Sequence, residues 1–356
     1  MNDRNRYKLD TAPLLMIRRL GYACINMTIG GDCKYSHFKN SGERCGSCHR
    51  CTSASEAAAK RSKIFTNRTM VAKTARSFGS RRDYLDRISA MLTANASNML
   101  DILRWNESMG IRLFRLSSEI APFMTHSEFG YTLSDLDPSV SEALAACGRY
   151  AAEHDHRLSS HPGPFNVLAS PDPNVVDNAI RELDAQAALF DAIGLPQDHN
   201  AKINIHVGGA YGEPLAALDR WCTNFARLSH SARSRLTIEN DDRASLYSVR
   251  DLYDHVYART GVPIVFDYHH HQFCTGGDSE AEALALAVST WPQGIVPTVH
   301  YSESMELHYG GDKPTTAHSF VIDRIPDTHG HTVDVMVEAK GKELAILPFH
   351  TTEVAA

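Results

Sequence analysis

Histidine and carboxylate side chains in this chain fall repeatedly where a run of apolar residues stops. His161 closes "HRLSSH", His206 lies in "KINIHVGG", Glu239 in "RLTIENDD", Asp267 in "PIVFDYHHH", His300 in "VPTVHYSES" and Glu338 in "DVMVEAKGK". His126, in "PFMTHSEFGY", and His318, in "TTAHSF", sit in loops that follow two such runs. A single His at a strand end is ordinarily a hydrogen-bonded structural residue, and a single carboxylate there often caps the next helix. Repetition at six strand ends is hard to explain that way, because each buried charge would need its own partner. Imidazoles mixed with carboxylates suit Mn²⁺, Zn²⁺ or Fe²⁺. The set exceeds the four ligands of one tetrahedral site and points to two or three divalent ions. Such a cluster activates water and stabilises the leaving oxygen in a phosphoryl displacement. The run His269–His271 leaves its members open. In an extended segment His269 and His271 point opposite to His270, so the three need not share a role.

The elements that must position these residues are legible as eight β-like runs: 16–25, 111–116, 156–161, 202–208, 235–240, 262–267, 295–301 and 334–340. Amphipathic stretches lie between them. Residues 83–109 place Leu85, Ile88, Met91, Leu92, Met99, Ile102 and Leu103 at helical spacing, and residues 173–193 follow the helix start "SPDP". Eight strands alternating with helices predict an α/β (β/α)₈ TIM barrel, whose ligands gather on the face where strands end. A doubly wound sheet is the alternative, but the chain has no G-x-G-x-x-G phosphate loop.

Length and composition agree with one large domain: 356 residues, 43% hydrophobic and 22% charged. The organisation expected is a disordered leader over 1–15, a catalytic barrel over 16–346 with an insertion over 33–80, and a tail over 347–356. No apolar stretch approaches a membrane span, and the polar start "MNDRNRYKLD" has no signal-peptide core. An intracellular monomer is expected, in cytoplasm, nucleoid or nucleus. The net charge of −6 hides an asymmetry, since residues 33–82 hold twelve Lys and Arg against two Glu. A basic strip on an acidic protein suits an anionic partner such as nucleic acid, although it is also what a solvated insertion looks like.

That insertion carries "CKYSHFKNSGERCGSCHRC". Cys33, Cys45, Cys48 and Cys51 are spaced to hold one Zn²⁺ ion, and four thiolates are also what an iron–sulfur cluster requires. The bland reading is a reduced, unliganded loop. Because the insertion follows the first strand, its basic flank, Lys60, Arg61, Lys63, Arg68, Lys73, Arg76, Arg81 and Arg82, should lie on the catalytic face.

Longer strings carry a resemblance. "RLGYACIN", "WNESMGIRLFRLSSEIAPFMTH", "HRLSSHPG", "IHVGGAYGE", "LTIENDD", "VFDYHHH", "VHYSES", "AHS" and "VMVEAKGKE" resemble, in order, the UV damage endonuclease family. The resemblance implies a metal-dependent barrel, usually holding manganese, that nicks DNA immediately 5′ of a lesion to leave a 3′-hydroxyl and a 5′-phosphate. It implies metal ligands at His126, His161, His206, Glu239, Asp267, His270, His300, His318 and Glu338, with His206, Glu239, Asp267 and Glu338 the catalytic candidates. It also implies DNA contacts at Tyr22, Asn26, Arg68 and the "HPGPF" loop, with Lys340 and Lys342 in the matching final motif "EAKGKE". Three residues depart from the family. Thr298 stands where the family has a lysine, often carboxylated to bridge metals, and a threonine cannot carry a carbamate. Pro164 and Phe165 replace a Gln–Tyr wedge. Phe165 keeps a stacking face without the hydroxyl, and Pro164 loses a polar contact and a backbone donor.

The reading from sequence is therefore a repair endonuclease acting on damaged double-stranded DNA. An abasic-site endonuclease is the second reading, a sugar isomerase or epimerase using Glu239 and Glu338 as acid and base the third, and a weakly catalytic lesion-binding protein the fourth.

Overall fold

The computed structural model describes residues 16–29, 67–310 and 315–350. Cys33, Cys45, Cys48, Cys51, Lys60, Arg61 and Lys63, the leader 1–15 and the end of the tail lie outside them. Eight parallel strands form the barrel wall: β1 Ile17–Ala23, β2 Leu113–Leu116, β3 Arg157–Ser160, β4 Ile203–Ile205, β5 Leu236–Glu239, β6 Ile264–Val265, β7 Thr298–Tyr301 and β8 Val333–Val337. Each falls inside or one residue beyond a run expected from sequence.

The hydrogen-bonded order is β6-β5-β4-β3-β2-β1-β8-β7. The ring closes between β6 and β7 through one parallel bridge, Asp267 to His300, where the His300 amide donates to the Phe266 carbonyl at 2.9 Å. Two of the expected metal ligands thus form the seam of the barrel. Gly21 explains how β1 and β2 approach, since a Cβ there would lie 2.1 Å from the Leu113 carbonyl oxygen.

Each strand is followed by a helix: α1 Arg81–Ser108, α2 Pro138–Glu153, α3 Pro173–Ile193, α4 Pro214–Phe225, α5 Val249–Leu252, α6 Glu280–Ser289, α7 Met305–Tyr309 and α8 Glu343–His350. A wider π turn, Tyr253–Tyr257, extends α5 to Ala258–Thr260. Short polar residues set the helix starts. Ser80 accepts from the Asp83 amide, Asp137 and Asp172 cap helices with Pro at the first turn, and Ser279 pairs reciprocally with Glu282. Along α3, Val176, Ala179, Leu183, Ala187 and Phe190 are buried at helical spacing. Each large apolar side chain buried this way contributes roughly 1.5–3 kcal/mol.

The main apolar core lies between strands and helices. The barrel interior is different, being spanned by polar pairs from non-neighbouring strands: Arg157 to Asp334, Arg115 to Glu338 and Lys202 to His300. An ordinary barrel fills this space with branched apolar side chains.

Residues 67–80, expected to belong to the basic insertion, are part of the β1–α1 connection. Ala72–Ala75 form a helical turn with Ala75 buried. The Arg68 amide donates to Asn95 Oδ1 at 2.6 Å, and Asn95 Nδ2 donates back to the Arg68 carbonyl.

Candidate metal centre in the barrel mouth

Glu239 ends β5 at the centre of the barrel mouth and is 1% exposed. Its Oε2 lies 3.3 Å from His161 Nε2, 3.1 Å from His300 Nδ1 and 4.0 Å from His206 Nε2, and its Oε1 lies 3.4 Å from His270 Nδ1. Glu338 joins through His300, 3.2 Å from the same Nδ1. Two groups here have ligand atoms within 4.8 Å of one another: His161, His206 and Glu239, and Glu239, Asp267 and His300. Glu239 belongs to both groups.

The residues fit divalent metal. Glu239 Oε1, Asp267 Oδ2, His300 Nδ1 and His318 Nδ1 are buried and make no hydrogen bond. Some lie close to an opposite charge but are not angled to bond with it. Buried polar atoms are rarely left this way, and four in one place mark a site built for a partner the chain itself does not supply. The mixed nitrogen and oxygen donors suit borderline and hard divalent ions.

Electrostatics agree. Burial disfavours a charged His206, but Glu239 and Asp241 outweigh it and push the imidazole up to about 10. Burial likewise opposes a charged His270, yet Asp267 and Glu239 raise it to about 9. Burial pushes the Asp267 carboxyl up to about 7, against the pull of His270. Burial drives His318 down to about 4. Glu338 is held well below the carboxylate range, because Arg115 overcomes its desolvation.

Several supporting residues were invisible in the sequence. Asn204 Nδ2 donates to Glu239 Oε2, and Thr237 Oγ1 donates to Asn204 Oδ1 at 2.7 Å, a chain that aims the hub carboxylate. Asp241 Oδ1 lies 3.2 Å from His206 Nδ1, leaving Nε2 toward Glu239. This is the usual way an outer carboxylate orients a ligand imidazole. Thr298 is buried with Oγ1 unpartnered. A buried lysine is nevertheless present from another strand: Lys202, beside β4, places Nζ 3.1 Å from His300 Nε2, and burial lowers it to about 7. A third group, Glu303, His308 and Asp323, lies after β7. There Glu303 is already occupied, accepting from Tyr301 OH at 2.9 Å and the Asp323 amide at 3.0 Å, with His308 Nε2 at 2.5 Å.

The histidine run is a turn of helix, Tyr268–His271, and the extended geometry expected for it is wrong. Asp267 caps that turn by accepting from the His270 amide at 2.9 Å. The turn rotates His270 toward Glu239. His269 Nε2 instead lies 3.2 Å from the Thr316 carbonyl, and His271 packs on Phe266. The His318 ring sits 5.3 Å from His269 and 6.3 Å from His270. His126 makes its contacts elsewhere, with Nδ1 accepting the Glu128 amide at 3.0 Å and its ring against Phe129.

The expected DNA contacts divide. Tyr22 is wholly buried, its hydroxyl donating to Asn106 Oδ1 at 2.7 Å and accepting from Asn26 Nδ2 at 2.9 Å. Asn26 is buried with it, so neither side chain offers a surface to DNA. They pack the wall behind β1 because Tyr22 faces α1 rather than the mouth. Phe165 is 86% exposed, and Pro164 and Arg68 are exposed. Lys340 is half-buried in the loop after β8. Arg76, Arg81 and Arg82 are engaged by Glu128, by the Phe129 and Gly130 carbonyls, and by Asp86. A cavity of about 420 Å³ opens beside the cluster, lined by His161, His206, His270, Pro164, Gly209 and Asp241 among others.

Comparison with known proteins matches this arrangement to one family. A family model described as UV-endonuclease UvdE matches residues 48–355. A UV-damage endonuclease of Neurospora crassa is 39% identical over 273 residues, covering 73% of this chain and 40% of that protein. A UV-damage endonuclease of Schizosaccharomyces pombe is 34% identical, covering 78% of this chain and 47% of that protein. A UV DNA damage endonuclease of Bacillus cereus is 32% identical over 75% of this chain and 83% of its own length. The chain thus spans less than half the length of the two fungal relatives. The crystal structure of SacUVDE superposes with a TM-score of 0.71 at 27% identity, covering 94% of this chain and 97% of that one. With fold and sequence in agreement, the chain belongs to the UV-damage endonuclease family.

Proposed function

We propose that this protein is a metal-dependent DNA repair endonuclease that cuts the phosphodiester 5′ of a damaged site in double-stranded DNA. The carrying observation is the set of buried, unbonded polar atoms on Glu239, Asp267, His300 and His318, together with an exposed Phe165. His161, His206, Glu239, Asp267, His270, His300, His318 and Glu338 would hold two or three divalent ions, with Mn²⁺ the expected metal. When bound, those ions would polarise the phosphoryl group and make water a nucleophile at neutral pH.

The chain's own contribution is positioning. Asn204 and Thr237 fix Glu239, Asp241 turns His206, and Arg115 holds Glu338 ionised. Arg68, whose backbone is pinned to Asn95, projects an exposed cation suited to a phosphate, and Lys340 borders the mouth. Phe165 offers a flat apolar face to the space a displaced base would leave. Because Pro164 and Phe165 present no side-chain hydrogen-bonding group, recognition should follow distortion and unstacking more than lesion chemistry. This favours a lesion range that includes abasic sites.

The test is an end-labelled duplex carrying one cyclobutane dimer, one 6-4 photoproduct or one abasic site, incubated with Mn²⁺ or with chelator. Metal-dependent cleavage is expected on the 5′ side of the lesion, leaving a 3′-hydroxyl that a polymerase extends and a 5′-phosphate. Absence of cleavage on all three duplexes with Mn²⁺ sinks the proposal.

A further inference from the structure

Phe165 is not the only aromatic ring left in the open at the mouth. Tyr211, in the loop after β4, is 47% exposed. Its backbone is unusual, with φ of +54°, a left-handed conformation that a bulky residue seldom adopts. Such strain persists only where the surroundings enforce it, and it concentrates at binding sites.

Two contacts hold the ring in place. The guanidinium of Arg220, on α4, lies 5.7 Å from the ring centroid, and Arg220 is itself tied by Nε to the Ala169 carbonyl at 2.9 Å. The ring also lies close to the bare backbone of Gly209, where a Cβ would come within 3.2 Å of Tyr211 Cζ. Gly209 lines the cavity beside the metal cluster. Gly163, which also lines it, sits beside the Phe165 ring at ordinary contact distance, a Cβ there lying 3.8 Å from Cδ2. Phe165 and Tyr211 therefore belong to neighbouring loops, those after β3 and β4, and both loops line the cavity that His161 and His206 also line.

We infer that Tyr211 is a second stacking platform that, together with Phe165, receives unstacked bases of the damaged duplex and sets discrimination between damaged and intact DNA. The inference rests on the endonuclease reading above. A ring held by a nearby cation and still half exposed loses little freedom when a base settles on its open surface, which is what a recognition surface needs. Stacking is tolerant of base identity, so this platform reads the loss of stacking rather than sequence.

The test uses the Mn²⁺-loaded full chain and a duplex with a single cyclobutane dimer, with undamaged duplex as competitor. Tyr211→Asn removes the ring but tolerates the positive φ, and Tyr211→Phe keeps the ring. Tyr211→Asn should raise KM for the damaged duplex by roughly tenfold, leave kcat and the inhibition constant of undamaged duplex unchanged, and melt like the parent. Tyr211→Phe should match the parent throughout. Unchanged KM in Tyr211→Asn overturns the inference, as does a matched loss of damaged and undamaged binding, or a lowered melting temperature that accounts for the defect. If the parent protein nicks no damaged duplex, the endonuclease reading fails first and this inference falls with it. Nicking with an unaltered Tyr211→Asn removes the inference alone.

Discussion

The two ends of the barrel interior are both polar and both buried, yet they are built on opposite principles. At the entry end, Arg157 engages its donors on every side: Nη1 on Asp334 at 2.8 Å and the Val296 carbonyl at 2.6 Å, Nη2 on the His199 carbonyl at 2.8 Å, and Nε on the Asn200 carbonyl at 3.1 Å. Its face covers Trp291, and Arg19 adds a second cation to Asp334. Within this network Asp334 Oδ1 goes without a partner. At the exit end, four buried atoms, Glu239 Oε1, Asp267 Oδ2, His300 Nδ1 and His318 Nδ1, stand without hydrogen bonds. A nearly closed polar network is a plug that joins strands, and an open one is a receptacle. Burial alone does not separate structure from function here, but the number of unbonded polar atoms does.

That contrast can be broken from either side. The largest effect on chemistry should come from Glu239→Gln, which removes the carboxylate common to both groups of candidate ligands. Nicking should fall on the order of a thousandfold and Mn²⁺ binding should weaken, while the unfolding midpoint holds. A collapse of folding with normal metal binding in the surviving fraction would make the exit end structural after all.

The converse is Arg157→Ala at the plug. It leaves buried Asp334 with only the longer contact to Arg19 and should cost up to about 3–5 kcal/mol in denaturant unfolding, with activity per folded molecule retained. Full stability would show that the plug is not the structural half of the pair.

A smaller effect is expected one layer out. Asp241→Asn should weaken metal affinity by roughly 10- to 100-fold, read by competition with a chelating dye.

Acidity sharpens the same point. His206 and His270 are pushed up to about 10 and about 9, so both hold protons at neutral pH before metal enters. Binding must release those protons, and affinity should therefore rise as pH climbs from about 6 to about 9, by up to about tenfold per pH unit for each proton displaced. Calorimetry in buffers of different ionisation enthalpy counts the protons. Zero release would contradict the electrostatics of the mouth. The smallest difference lies within the histidine run, where His269→Ala should cost nicking only a few-fold and His270→Ala far more.

The sequence made the exit end legible and the entry end invisible, for a definite reason. The residues that gather at the mouth end strands, so they sit where apolar runs stop, and the pattern can be read one strand at a time. Arg157 and Asp334 are far apart along the chain and each looks like an ordinary charged residue beside a strand. The same holds for Asn204 under Glu239, Asp241 behind His206 and Lys202 beside His300. Tyr22 shows the limit from the other direction: its motif implied a DNA contact, but the strand's alternation turns its ring toward α1.

By itself the sequence determined the number and order of the strands, the helices between them, and the residues that crowd their ends, because periodicity and strand termination are local properties. Only the tertiary structure decided which atoms of those residues meet. Closure of the ring at Asp267 and His300 brings β5, β7 and β8 face to face, and a single turn of helix, not an extended segment, selects His270 from three neighbours. Those outcomes depend on distances between elements distant in sequence, which no local pattern records.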